Sequence, residues 1–214
     1  MIIQVFEILL QRKDFFINLV WQHIALTGIS VSIAMVVGLL LGILISEYRK
    51  LSFLVLGVTN AIYTVPTIAL FGMLMWLTGI GNTTAVIALT VYALLPMVRN
   101  TYTGITTIDS SIIEAAVGMG STNFQLLYRI KLPLAAPVII TGIRNMVVMT
   151  IATGGIAAFI GAGGLGVGIY RGISSNNTAL TLAGSLLIAL MALFADYLMG
   201  LLEGLIKKKR RMPQ

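Results

Sequence analysis

The run from Leu51 to Val98 contains no charged residue over 48 positions, and it constrains the fold more than any other feature of the sequence. A helix crosses the ~30 Å hydrocarbon core of a bilayer with about 20 apolar residues, so this run is long enough for two crossings and a turn. The glycine-containing polar stretch 77–84 marks the turn. Only 10% of all residues are charged and 58% are hydrophobic, which is too little charge for a water-exposed surface. The sequence therefore predicts a protein surrounded largely by lipid.

The remaining gaps between charges predict the other membrane spans. Together they indicate an all-α integral membrane protein with about five transmembrane helices, near 23–46, 53–76, 83–99, 137–160 and 178–203. No repeat or low-complexity segment divides the chain, so residues 1–214 are expected to form one domain. The first span is too long for the apolar core of a cleavable signal peptide. The absence of cysteine excludes disulfides and thiolate metal sites.

The distribution of lysine and arginine predicts the orientation. Five spans put the termini on opposite sides, and the basic tail 207–214 is expected in the cytoplasm. Eleven of the 14 basic residues then lie on that side, and the N-terminus lies outside. The net charge of +7 is thus explained by topology and by contact with lipid headgroups. A nucleic-acid partner is not expected, because the basic tail has no interleaved aromatic residues.

The segment 100–136 between spans 3 and 4 is the predicted cytoplasmic loop. Asp109 or a neighbouring serine is expected to cap a short helix that runs through Ala116. Gly118 and Gly120 are expected to end this helix. From the pattern alone, the helix is either an ordinary interfacial helix or a surface that another protein approaches closely.

A second helix is expected in the same loop. Ser121 or Thr122 supplies its N-cap, and Pro133 is expected to end or kink it.

The spacing within this loop resembles the EAA loop of bacterial ABC importer permeases. The matching positions are Glu114-Ala-Ala116, then Gly120 after three residues, then Ile130-Lys-Leu-Pro133 after nine more. The resemblance implies a coupling helix that docks into a cytoplasmic ATPase. The residues that it assigns to coupling are Glu114, Ala115, Ala116, Gly118, Met119, Gly120, Ile130, Leu132 and Pro133. Val117 departs from the family, which often has a basic residue there.

Two further segments resemble the permeases for glycine betaine, carnitine, choline and proline. They are Tyr63–Leu70 and the glycine-rich segment Ile156–Gly166. The resemblance implies location in the bacterial cytoplasmic membrane. It also implies three kinds of partner: ATPase subunits, a second permease subunit (a copy or a similar chain), and an external substrate-binding protein. Methionine permeases share the five-span plan, so an amino acid remains an alternative cargo.

Polar residues near a proline in span 2, together with a strip in span 4, are candidates for the translocation pathway. They are Asn60, Tyr63, Thr64, Pro66 and Thr67 in span 2, and Asn145, Thr150 and Thr153 in span 4. The polar residues could equally bond to neighbouring helices. A quaternary ammonium ion has no N–H donor and favours aromatic faces. Tyr63, Trp76, Tyr92 and Phe159 could supply such faces, or could be ordinary core and interface residues.

Glycines after span 4 are candidates for a hinge or outer gate. They are Gly161, Gly163, Gly164 and Gly166, and close helix packing is the alternative explanation. Their pattern also fits G-x-G-x-x-G. A dinucleotide site is nevertheless excluded, because the βαβ context and the following acidic residue are missing.

Two ionisable residues lie within predicted spans, where charge is costly. Asp196 in span 5 is expected to reach towards water, to face the lumen, or to pair with Arg144 in span 4. His23 lies at the start of span 1, where an interfacial position is favoured over metal binding because no second ligand is nearby.

The sequence contains no phosphate-binding loop, so ATP and Mg²⁺ are expected on a partner ATPase, with no cofactor, metal or catalytic residue in this chain. A secondary transporter or channel is disfavoured because no inverted repeat and no inward-facing coupling charge is visible. A membrane enzyme is disfavoured because the single histidine and seven acidic residues are scattered.

Overall fold

The computed structural model describes the backbone of residues 2–209 and the side chains of residues 3–205. Within these residues every regular element is a helix. The first half of the chain contains α1 (Ile2–Gln11), α2 (Lys13–Glu47), α3 (Arg49–Thr64), α4 (Thr67–Thr78) and α5 (Asn82–Thr106).

The second half begins with two short helices, α6 (Ser110–Gly118) and α7 (Asn123–Gln125). A π-helical turn (Leu126–Lys131) joins α7 to α8 (Leu132–Gly154), and a 3-10 helix (Gly155–Ile160) follows. The chain ends with α9 (Gly166–Ser174) and α10 (Thr178–Lys209).

Helices α2, α5 and α8 pack together as the centre of the bundle. Small residues allow their backbones to approach closely, as is usual between membrane helices. A Cβ added at Gly42 of α2 would meet the Thr101 side chain at 2.4 Å, and one at Gly142 of α8 would meet Asn100 at 2.6 Å. Both neighbours belong to α5, so α5 is held tightly between α2 and α8.

The helices confirm the prediction of an all-helical fold with about five candidate membrane spans. Four helical segments are long and apolar enough to cross a bilayer: Lys13–Glu47, Asn82–Thr106, Asn123–Ile160 and Thr178–Leu205. The bent pair α3–α4 is the fifth candidate. Helix α2 begins ten residues before the start predicted for span 1, and the predicted basic tail 207–214 lies beyond the described side chains.

The second predicted span, 53–76, is not one continuous helix. Its two halves, α3 and α4, are bent by 103° at Val65 and Pro66. Pro66 has no N–H to donate, and proline disfavours helical geometry in the residue before it. Val65 accordingly has an extended backbone (φ −69°, ψ 128°).

The predicted loop 100–136 is mostly helical. Helix α5 continues to Thr106, and the chain is helical again from Asn123 to Gly154. Pro133 therefore does not end a helix. It lies in the first turn of α8, where a missing N–H is tolerated, and the π-helical turn carries the chain into α8 without a break.

Candidate functional site

A half-open cavity lies at the break between α3 and α4. The cavity has a volume of about 230 Å³. Its lining comes from α3, α4, α5 and α8, and consists of Tyr63, Thr64, Val65, Pro66, Thr67, Tyr92, Ala93, Met149, Thr150 and Thr153. These residues carry no formal charge, so the cavity is polar but uncharged.

Two tyrosines form one corner of this cavity. The rings of Tyr63 and Tyr92 meet edge to face, with centroids 5.9 Å apart and planes at 66°. The Tyr92 hydroxyl donates to the carbonyl of Val65 at the break. The Tyr63 hydroxyl donates to the sulfur of Met149 at 3.5 Å. Both rings are thus tied to neighbouring helices.

Three of the four threonine hydroxyls around the cavity donate to their own helices. Thr64 Oγ1 donates to the Ala61 carbonyl at 2.7 Å. Thr150 and Thr153 donate to carbonyls four residues earlier, at 2.7 and 2.8 Å. Because these protons are used, the hydroxyl oxygens face the cavity chiefly as weak acceptors.

Six of the eight predicted pathway residues line this one cavity: Tyr63, Thr64, Pro66, Thr67, Thr150 and Thr153. Asn60 and Asn145 are exposed and do not line it. Tyr92 and Met149 complete the lining. The sequence offered Tyr92 only as one of several aromatic residues, and gave no sign of Met149.

The four aromatic candidates differ in whether they line the cavity. Tyr63 and Tyr92 lie in the cavity, whereas Trp76 is 86% exposed at the far end of α4. Phe159 packs edge to face against Tyr170, with centroids 5.3 Å apart, away from the cavity. Of the four aromatic candidates, Tyr63 and Tyr92 alone line the cavity at the break.

The EAA segment (residues 114–133) begins in α6, whose two ends are well defined by local bonds. The Asp109 carboxylate accepts the Ser111 N–H at 2.9 Å, which confirms the predicted cap. That backbone bond holds the pKa of Asp109 below its usual value. At the other end, Ser121 N–H donates to Ala116 and Gly120 N–H to Val117, with Gly120 at φ +84°. This Schellman motif requires the left-handed conformation that glycine adopts readily.

The predicted coupling residues lie together at one end of the bundle. Ala116 is buried, while Glu114, Ala115, Gly118, Met119 and Gly120 are exposed. Ile130, Leu132 and Pro133 are half-buried at the start of α8. The arrangement offers another protein a short, exposed helix that bears one carboxylate.

Two further contacts anchor this segment. Thr122 and Gln125 form a capping box at the start of α7, with bonds of 2.9 and 3.3 Å. Lys131 Nζ lies 2.6 Å from Glu47 Oε1 and ties the π-helical turn to the end of α2. The sequence did not predict this ion pair, because its residues are 84 positions apart.

The candidate gate glycines are held by side chains from α2 and α5. Three successive N–H groups, those of Gly163, Gly164 and Leu165, donate to Asn82 Oδ1, Gln22 Oε1 and His23 Nδ1. The distances are 2.9, 3.1 and 3.2 Å respectively. We call residues 161–166 the glycine loop.

His23 is buried within the protein, and its predicted position near the membrane interface stays a prediction. Its side chain is only 1% exposed. Since Nδ1 accepts from Leu165, the ring proton lies on Nε2, which is 3.0 Å from the Ile151 carbonyl of α8. The histidine thus bridges the glycine loop and the end of α8.

Glycine is required in this loop for two different reasons. Gly161 and Gly164 have φ values of +75° and +95°, in the left-handed region. Gly166 has an ordinary φ, but a Cβ there would lie 2.0 Å from the Gly155 carbonyl oxygen. The loop is closely packed, as one alternative predicted, and the gate role stays a prediction.

A cluster of three charges joins α8 to α10. Arg144 binds Asp196 through two parallel bonds of 2.6 and 2.7 Å, which confirms the predicted pairing. Glu203 adds a third contact to Arg144 at 3.3 Å. The side chains of Arg144 and Asp196 remain 34% and 39% exposed.

These features define the class of the protein as a multi-pass helical membrane protein with a half-open cavity at the break in one of its candidate spans. Residues 34–208 match the family described as binding-protein-dependent transport system inner membrane component. The chain belongs to this family.

Curated relatives cover nearly the whole chain. It is 44% identical over 204 residues to the glycine betaine/carnitine/choline transport system permease protein OpuCD of Bacillus subtilis, covering 94% of this chain and 89% of the relative. It is 45% identical over 193 residues to the choline transport system permease protein OpuBD of the same organism, covering 88% and 85%. These relatives are permease subunits of transport systems.

Among solved structures, a chain of the inward-facing MetNI methionine ABC transporter has the same fold. The TM-score is 0.81 at 22% identity, covering 92% of this chain and 98% of the other. At this level of identity the likeness concerns the fold alone.

Proposed function

We propose that this chain is the membrane-spanning subunit of an ATP-driven importer for quaternary ammonium compatible solutes, such as glycine betaine, carnitine, choline or the related solute proline. The observation that carries the proposal is the uncharged cavity at the α3–α4 break, with its tyrosine corner. A cation without N–H groups suits aromatic faces and weak acceptors. The names of the relatives in Bacillus subtilis support the same cargo class.

The proposal includes three kinds of partner. ATPase subunits bind ATP and Mg²⁺ and dock on the EAA segment, for which the exposed α6 with Glu114 is the favoured surface. A second permease subunit, a copy or a similar chain, completes the pathway. An external binding protein delivers the solute. This chain, a single permease domain over residues 1–214, then carries out no covalent chemistry itself.

The proposed orientation puts the EAA segment and the C-terminus in the cytoplasm. The glycine loop then lies at the outer end of the bundle, because the end of α2 that carries Gln22 and His23 is opposite the end that carries Glu47. The positive-inside bias of the sequence supports this orientation. Cysteines introduced at Ser111 and Ser175 should be labelled by an impermeant maleimide from the cytoplasmic and outer sides respectively.

The test of cargo is uptake by the assembled transporter. The chain is co-expressed with the ATPase and binding protein encoded beside it, purified, and reconstituted in proteoliposomes with internal ATP. We expect ATP-dependent uptake of labelled choline, glycine betaine or carnitine. Uptake of methionine in place of these solutes would overturn the cargo, and failure of any ATPase to co-purify would overturn the importer itself.

The test of the coupling surface is a charge reversal at Glu114. Glu114→Lys should leave membrane insertion unchanged and reduce co-purification of the ATPase by about tenfold, because an interface charge meets a like charge. The matched control is Glu7→Lys in α1, which makes the same charge change on an exposed residue at the opposite end of the bundle. Equal ATPase recovery in both variants would remove Glu114 from the docking surface.

A further inference from the structure

We propose that the corner formed by Tyr63 and Tyr92 binds the trimethylammonium group of the solute as it crosses the membrane. The inference rests on the proposed function and makes it more specific, since it assigns recognition to two rings in the permease itself. The site would take the cationic end of choline, betaine and carnitine alike.

The first argument is the shape of the corner. Two rings at 66° with centroids 5.9 Å apart present faces in different directions, and both belong to the lining of one cavity. A cation within about 6 Å of a ring centroid is attracted by the negative face of the ring, and more strongly where water is excluded. A rounded group of methyls around a positive charge can contact both walls of the corner.

The second argument is that both rings are held in place before a solute arrives. The Tyr92 hydroxyl is bonded to the Val65 carbonyl, and the Tyr63 hydroxyl to the sulfur of Met149. These bonds join α5 to the α3–α4 break and α3 to α8. Binding therefore needs little further ordering of side chains, which favours affinity.

The third argument is the chemistry of the other walls. The hydroxyl protons of Thr64, Thr150 and Thr153 are donated to backbone carbonyls, and those of both tyrosines are also used. Among these five side chains the corner offers no free donor to a carboxylate. The corner therefore suits the trimethylammonium end. The carboxylate of betaine or carnitine is expected on the side of Thr67, which lines the same cavity and whose hydroxyl donates to no acceptor among the described residues.

The fourth argument is the helix break itself. Irregular backbone at membrane depth is tolerated where it is buried in protein or lines a cavity, and interrupted helices often mark substrate sites in transporters. Here the extended Val65 and Pro66 lie in the cavity wall beside both tyrosines. The break thus brings Tyr63 and Tyr92 together, although they are 29 positions apart in the sequence.

The experiment uses the purified permease–ATPase complex and measures equilibrium binding of labelled choline without the binding protein. Tyr63→Leu and Tyr92→Leu should each weaken binding by about tenfold or more, the effect of losing one desolvated cation–aromatic contact. Tyr63→Phe and Tyr92→Phe keep the ring faces and should bind within about threefold of the unaltered complex. Phe159→Leu removes a ring from the aromatic pair outside the cavity and should bind choline normally.

A neutral analogue tests the role of the charge. In 3,3-dimethylbutan-1-ol a carbon replaces the nitrogen of choline and leaves the shape nearly unchanged. It should compete at least about tenfold less well than unlabelled choline for the unaltered complex. If the neutral analogue competed as well as unlabelled choline, the site would recognise only the shape of the ligand, and the proposal would be overturned.

The outcomes separate this inference from the proposed function. If the unaltered transporter imports none of the quaternary ammonium solutes, the proposed function fails and the inference fails with it. If it imports them, and both leucine variants co-purify with the ATPase and bind and import choline as the unaltered transporter does, only the tyrosine site is overturned.

Discussion

The glycine loop and the α3–α4 break both interrupt the helical backbone, but they differ in how many of their peptide groups have hydrogen-bond partners. At the glycine loop, three successive N–H groups are bonded to Asn82, Gln22 and His23, and the loop is closely packed. At the α3–α4 break, the Tyr92 hydroxyl of α5 donates to the Val65 carbonyl, and the Tyr63 hydroxyl of α3 donates to the Met149 sulfur of α8. A cavity of about 230 Å³ lies alongside. A pocket of about 420 Å³, lined in part by Gln22, Gly161 and Gly163, also borders the glycine loop. The three N–H groups of the loop nevertheless have side-chain partners, whereas few such bonds reach the backbone of the break.

The difference teaches which interruption is suited to a solute. A buried peptide group without a partner costs free energy, so a closed loop must bond each group to the protein. Beside a cavity, water or a solute can take that place. We therefore expect substitutions at the glycine loop to reduce stability strongly, and substitutions at the break to alter transport with smaller changes in stability.

The largest expected effect is that of Gly166→Ala. Its Cβ would lie 2.0 Å from a main-chain oxygen, which cannot move as a flexible side chain can. We expect a loss of about 4 kcal/mol or more in the free energy of unfolding, or no folded protein. Thermal unfolding in detergent measures it, with Gly72→Ala in α4 as the control because no atom lies within 4 Å of its added Cβ. Equal stability of the two variants would show that the loop is not closely packed.

The next effect is that of His23→Leu, which leaves the buried Leu165 N–H without its acceptor. We expect a loss of about 1–3 kcal/mol, the cost of one unsatisfied buried donor. His23→Gln retains an amide oxygen as an acceptor and should recover part of the loss. Trp21→Leu, at an exposed neighbour on the same helix, is the control in the same unfolding measurement. A His23→Leu variant as stable as this control would contradict the assigned role.

The smallest effect is that of Tyr92→Phe at the break. It removes the bond to the Val65 carbonyl, but that carbonyl lies beside a cavity where water can replace the hydroxyl. We expect a loss of about 1 kcal/mol or less in the free energy of unfolding. If Tyr92→Phe reduced the free energy of unfolding more than His23→Leu does, the break would be more sensitive to substitution than the glycine loop, which is the opposite of our expectation.

Much of the fold was predictable because charge is costly in lipid. Gaps between charged residues located the helices corresponding to α2, α5, α8 and α10. The caps of α6 and α7 were also predictable, because Asp109, Gly120 and Thr122 act on backbone groups only a few residues away. These predictions depended on composition and on hydrogen bonds between residues that are close in sequence.

The bend at Pro66 and the burial of His23 were not predictable. Proline shows that a helical bond is lost, but the 103° bend depends on how α3 and α4 pack against α5. His23 stands in an almost uniformly apolar helix, so the sequence does not show which face it occupies. Its partners Ile151 and Leu165 are 128 and 142 positions away.

The grouping of the candidate pathway residues around one cavity was predictable only in part. Polar residues at helical spacing placed Thr150 and Thr153 on one face of α8, and both line the cavity. Asn145 is five positions before Thr150 and lies on another face, exposed. Side-chain polarity alone did not distinguish it from the other two.

The pairing of Arg144 with Asp196 has a consequence for biosynthesis. Translation delivers the arginine 52 residues before its carboxylate partner, so α8 reaches the membrane first with an unneutralised charge. The charge of Arg144 therefore acquires its carboxylate partners only when α10 arrives. A nascent chain that stops short of α10 lacks both Asp196 and Glu203, so its Arg144 has neither of these carboxylates to neutralise it.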